Sequence, residues 1–160
     1  LYDLEVLADR EGVLSGKINL RQLTRLRDIL HSDRGSIQAS LKFHRHTHSS
    51  ITVDLTFATV LELICQRCLE PMPRNVSTLV SLSLLEPGSM DGENAKENEA
   101  VVLMDGKLNP AALLEDELIL SLPIIPRHTE IDECGSMAQF LQALAPDESP
   151  GTADPPLRGH

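Results

Sequence analysis

Aromatic residues are nearly missing from this chain. Tyr2, Phe43, Phe57 and Phe140 are the only four in 160 residues, and there is no Trp. Single-stranded nucleic acid is held largely by stacking bases on aromatic faces, so an ordinary single-strand RNA or DNA binder is disfavoured. Any core must be built from Leu, Ile and Val. Cysteine is scarce as well, with Cys65, Cys68 and Cys134 alone. An odd count that includes a C-x-x-C spacing suits a reducing compartment better than a disulfide framework. No apolar run approaches the ~18 residues of a membrane-spanning helix, and no basic–apolar–small leader opens the sequence. A cytoplasmic location with no membrane partner is therefore expected. No nucleophile–base signature, glycine-rich phosphate loop or H-E-x-x-H is present, so catalysis finds no support.

What is present is charge of one sign, unevenly placed. The formal net charge is -10, with residues 1–85 near neutral (+1) and residues 86–160 at -11. A strongly acidic half repels phosphate, and DNA with it, and favours a basic protein partner; a merely solubilising acidic surface is the plainer alternative.

Hydrophobic periodicity then gives the elements. A short strand is expected over Gly12–Ile18. Asn19 reads as an N-cap, and Leu20, Leu23, Leu26, Ile29 and Leu30 predict an amphipathic helix over Leu20–His31. Its outer face carries Arg21 and Arg25, which suit a partner or phosphate contact as well as plain solvation. Strict alternation over Ile37–Phe43 and Ile51–Phe57 predicts two half-buried strands. A third run, Val60–Ile64, leads into the C-x-x-C, and a fourth strand follows over Val76–Leu85. Together these make an antiparallel meander. His44, His46 and His48 alternate where the chain should turn, and read as a solvated hairpin tip. Residues 86–100 read as an acidic mobile loop, followed by a short strand over Val101–Met104. Asn109-Pro110 then opens a helix over Ala111–Leu122, with Glu115, Asp116 and Glu117 fanned over its solvent side. Pro123 stops that helix. A short helix over Ser136–Leu144 precedes a Pro-rich tail, residues 146–160, expected to be disordered. The expectation is α+β: an antiparallel sheet of four or five strands, possibly closed like a barrel, with two main helices on it, forming one domain over residues 1–145.

Cys65, Cys68, His128 and Cys134 are the residues that could carry chemistry. Zinc takes four thiolate or imidazole ligands at tetrahedral angles, and these four fall in two pairs, as in many structural zinc sites. Three readings stay open: a Cys3His zinc site, three reduced thiols beside an unrelated His, or a redox pair at Cys65 and Cys68 serving a thiol-based sensor. The last needs an activated thiol, and the prolines after Cys68 forbid the helix N-terminus that usually provides it. Glu115, Asp116 and Glu117 offer an acidic face for a basic partner, or a solvated face.

Two stretches taken together resemble the YceD family, named for accumulation of large-subunit ribosomal RNA. They are Leu-Ile-Cys-Gln-Arg-Cys-Leu-Glu-Pro at 63–71, and Glu-Asp-Glu-Leu-Ile-Leu-Ser-Leu-Pro-Ile-Ile-Pro-Arg-His at 115–128 with Cys134 shortly after. The resemblance covers roughly residues 9–134. It implies a cytoplasmic, non-catalytic factor needed for synthesis, processing or stability of that RNA, with a ribosomal protein or pre-ribosomal particle as partner. In this reading Glu115, Asp116 and Glu117 with the acidic loop Glu86–Glu99 hold a basic ribosomal protein, while Arg21, Arg25, Arg67 and Arg74 touch RNA.

Overall fold

The computed structural model describes residues 2–47, 50–85, 99–103 and 107–144. In chain order these form β1 (Tyr2–Asp3), α1 (Leu4–Asp9), β2 (Val13–Asn19), a 3-10 turn (Leu20–Gln22) and α2 (Thr24–Arg27). Then come β3 (Ser36–Thr47), β4 (Ser50–Ile64), β5 (Pro71–Leu85), β6 (Glu99–Val102) and β7 (Lys107–Leu108). Helix α3 (Pro110–Ser121), a second 3-10 segment (Asp132–Met137) and α4 (Ala138–Leu144) complete the described chain.

The main sheet has the order β2-β3-β4-β5-β6, and β1 pairs with β7 in a separate two-stranded sheet. Strands β2 to β5 form an antiparallel meander, with β2 taking the place of a separate strand at Val60–Ile64. The fifth strand, β6, departs from it by running parallel to β5, with Leu82 opposite Glu99. The sheet is open and does not close into a barrel. The class is α+β.

Strand β4 is longer than the pattern suggested. The runs at Ile51–Phe57 and Val60–Ile64 are one unbroken strand, registered on β5 from Ile51↔Leu84 to Ile64↔Pro71. Thr59 obscures this in the sequence because it stands on the apolar face, where its hydroxyl donates to the Ser36 carbonyl at 3.4 Å. The other residues of that face, Ile51, Val53, Leu55, Phe57, Leu61 and Leu63, are buried, each worth roughly 1.5–3 kcal/mol of transfer free energy.

The predicted Leu20–His31 helix is not one helix. Leu20 lies in a 3-10 turn and Leu26 in a short α-helix, and Leu20, Leu23 and Leu26 are all buried. Leu23 is extended (φ -95, ψ 90) and breaks the segment into the 3-10 turn and the four-residue α2. Ile29, counted on the apolar face, is exposed.

Helix α3 starts where Asn109-Pro110 placed it, with Asn109 Oδ1 accepting from the Ala111 and Ala112 N–H groups at 3.2 and 3.3 Å. Strand β3 runs on through His44 and Arg45, so the hairpin tip lies later than expected; His48 falls outside the described residues. Of the expected acidic loop, residues 86–98 lie outside the described residues, as does the expected disordered tail at 146–160, while Glu99 and Ala100 belong to β6. Among the described residues no helix is long and apolar enough to cross a membrane.

Candidate metal centre

The C-x-x-C forms the tight link between β4 and β5. The Leu69 N–H donates to the Cys65 carbonyl at 2.8 Å, and the Cys65 N–H to the Glu70 carbonyl at 3.0 Å. Closing this turn puts Leu69 in the left-handed region, at φ 62. A second segment is tied across it. The Gln66 N–H donates to the Pro126 carbonyl at 2.8 Å, and the Arg67 guanidinium donates to the carbonyls of His128 and Glu130. Pro123 follows the extended Leu122, and residues 122–130, which include this strap, form neither helix nor strand. The 3-10 segment then turns Cys134 inward, through a kink at Gly135 (φ 54, ψ -129).

The four predicted residues therefore converge. The three Sγ atoms and one His128 nitrogen all lie within 4.8 Å of one another. His128 Nδ1 is 3.6 Å from both Cys68 Sγ and Cys134 Sγ. With Zn–S bonds of about 2.3 Å and Zn–N bonds of about 2.0 Å, a regular tetrahedron has S···N edges of about 3.5 Å. The three cysteines are free and buried, and pack with Leu63 and Met72 in a small core separate from the main one.

The electrostatics of the cluster also fit a cation. Burial pushes the Cys65 thiol up, but the backbone N–H groups of Cys68, His128 and Arg67 point at its sulfur, and the thiol of Cys68 adds to them; the net pKa is lowered to about 5. Burial and then the neighbouring sulfurs of Cys68 and Cys65 push Cys134 up to about 11. A cluster that favours one thiolate and resists the next is what a divalent cation would resolve, since it favours all of them at once. Three sulfurs and one imidazole fill a tetrahedral shell and leave no open position, the pattern of a structural rather than a catalytic zinc site.

The other marked residues are placed differently from expectation. Glu115 and Glu117 are buried, not solvated. Glu115 Oε1 accepts from the N–H groups of Arg25 (2.8 Å) and Leu26 (3.1 Å), and Oε2 accepts from the Arg25 guanidinium at 3.2 Å. Burial alone would raise the Glu115 pKa, but the Leu26 N–H, the Arg25 side chain and the Arg25 N–H outweigh it and hold it below the usual carboxylate range. Asp116 also pairs with Arg25, at 2.6 Å. Two groups marked for different partners thus bind each other, and Glu115 caps α2 from a distant helix. Sequence offers no signal for this, since α2 has Leu23 at its N-cap and no side-chain cap of its own. Arg67 is part of the turn, Arg21 is exposed and pairs with Asp33 at 3.5 Å, and Arg74 is exposed on β5.

Residues 53–154, a stretch that holds all four converging residues, match the family described as Large ribosomal RNA subunit accumulation protein YceD. A Haemophilus influenzae protein of that description is 25% identical over 119 residues, covering 74% of this chain and 68% of the relative. No solved structure matches. With well over half of its length matched to the family, and with both resembling motifs inside that match, the chain belongs to the YceD family.

Proposed function

We propose that this chain supports accumulation of large-subunit ribosomal RNA by binding, without catalysis, as a cytoplasmic factor that engages a basic ribosomal protein or a pre-ribosomal particle. The observation that carries the non-catalytic half is the closed Cys3His set. Cys65, Cys68, Cys134 and His128 Nδ1 would hold zinc, which when bound supplies a cross-link and neutralises the thiolates. The chain's own residues do the rest: the N–H groups of Arg67, Cys68 and His128 stabilise sulfur charge, and Arg67 clamps the 123–130 strap against the β4–β5 turn. The RNA half rests on the family, whose name is that of an accumulation factor and not of an enzyme. Of the charged groups marked for partner contact, Arg21, Arg25, Arg74 and Asp116 are exposed and remain candidates; Arg67 belongs to the turn, and Glu115 and Glu117 act inside the fold.

The test is the ratio of large- to small-subunit ribosomal RNA in cells whose own copy is replaced by Cys65→Ser. The ratio should fall toward that of the deletion strain. A ratio unchanged in the deletion strain would remove the RNA reading. The rival, a thiol sensor at Cys65 and Cys68, requires zinc-free protein whose thiols react with mild oxidant in the cell.

A further inference from the structure

The lobe built around the four converging residues exposes apolar side chains that the fold does not use. Helix α4 packs Leu141 against the small cysteine core and buries Ala138. On one flank of that seam Met137, Phe140 and Leu144 recur at helical spacing, and all three are exposed, Phe140 to 59%. The β4–β5 turn adds Leu69, 71% exposed, and the strap adds Ile125 and the fully exposed Ile124. The scaffold beneath them is fixed: Leu69 by the turn's own hydrogen bonds, Ile124 and Ile125 through the Pro126–Gln66 bond, and α4 through Gln142 Nε2 donating to Asp132 at 2.6 Å. Large apolar residues exposed together around one small core mark an interaction surface.

Charge says what covers it. Around the lobe Glu70, beside Gly135, and Glu130, Asp132 and Glu133 are exposed acids, against one exposed cation on the strap, Arg127, and from His128 to Leu144 there is no Lys or Arg. A nucleic acid would meet apolar side chains rimmed by like charge. A second copy would bring the same acids against themselves, in a chain of net charge -10. The chain's own remaining segments lack the side chains to fill the role, since residues 86–98 offer only Met90 and residues 145–160 only Leu157 as large apolar groups.

We propose that this lobe is the docking surface for a basic protein that presents an apolar anchor ringed by Lys or Arg, with Phe140 and Ile124 as principal contacts. The proposal rests on the binding function above and locates it.

The experiment uses the full chain and a panel of purified basic large-subunit ribosomal proteins, with protein-free large-subunit ribosomal RNA as a separate probe. Affinities are read by fluorescence anisotropy at several salt concentrations. At least one panel protein should bind, less tightly as salt rises, and Phe140→Ser with Leu144→Ser should weaken it at least tenfold. Ile124→Ser, outside any helix and fully exposed, should do so independently. Urea midpoint and metal content should stay at wild-type values in both variants. The proposal is overturned if no panel protein binds, if the variants bind as wild type, if RNA alone binds equally and competes, or if the variants abolish only self-association. Ribosomal RNA levels in a deletion strain keep the two ideas separable. Unchanged levels would retire the RNA function while leaving the measured surface standing, and lost levels without panel binding would retire the surface alone.

Discussion

Removing the Glu115 carboxylate should destabilise the protein far more than its place in an acidic Glu-Asp-Glu run suggests. Oε1 is the acceptor for two N–H groups in the first turn of α2, where no intrahelical acceptor exists. Glu115→Ala leaves the Leu26 N–H unsatisfied beside a fully buried side chain, which costs about 1–3 kcal/mol. The partly buried Arg25 N–H adds about 1 kcal/mol for a lost cap. The guanidinium arm contributes little, because Arg25 is 54% exposed and solvent screens the pair. The sum is about 3 kcal/mol, or roughly 6–12 °C in Tm for a chain of this size. Glu115→Gln keeps a neutral acceptor and should cost about half as much, while Arg25→Ala should cost less than either. Urea denaturation of the three variants, compared at a common slope, gives these values. If Glu115→Ala stays within ~0.5 kcal/mol of wild type, or Arg25→Ala costs more than Glu115→Ala, the capping argument is refuted.

The same carboxylate predicts a pH dependence. Its folded pKa is depressed, so its stabilisation is fully present above the unfolded value of about 4.3 and is lost as pH falls through the folded value. The gap in urea midpoint between wild type and Glu115→Gln should shrink below about pH 4, and a constant gap there would contradict the assignment. Leu69 holds a left-handed conformation that disfavours side chains with a Cβ, so Leu69→Gly should be neutral or stabilising by up to about 1 kcal/mol and Leu69→Val destabilising by about 1–2 kcal/mol, read by thermal melts. Gly135→Ala should cost about 1–3 kcal/mol, because φ 54 with ψ -129 is glycine backbone; an unchanged melt would show that the kink relaxes freely.

The sheet and the four converging residues were legible in the sequence for physical reasons. Strand alternation is a period-two signal that survives burial on one face, and a C-x-x-C with a distant His and Cys is a ligand pattern independent of the path between them. The rest was hidden where a residue serves a tertiary contact. Thr59 interrupts the apolar face of β4 to reach Ser36, and so divides one strand into two apparent runs. Leu20, Leu23 and Leu26 fit the spacing of one continuous helix, and nothing in the pattern announces that Leu23 is extended and divides it. Glu115 and Glu117 read as solvated because charged residues almost never become buried unless paired, and the pairing of Glu115 spans ninety positions of chain. The parallel β6 follows a segment with no periodicity to announce its direction.

A metal held by Cys65, Cys68, His128 and Cys134 is what would pin the lobe. Elemental analysis of the untagged protein, purified without chelator, should give one zinc per chain, and Cys134→Ser should lose it along with a large part of the thermal stability. A metal-free wild type whose three thiols react as ordinary free cysteines would contradict the zinc-pinned lobe.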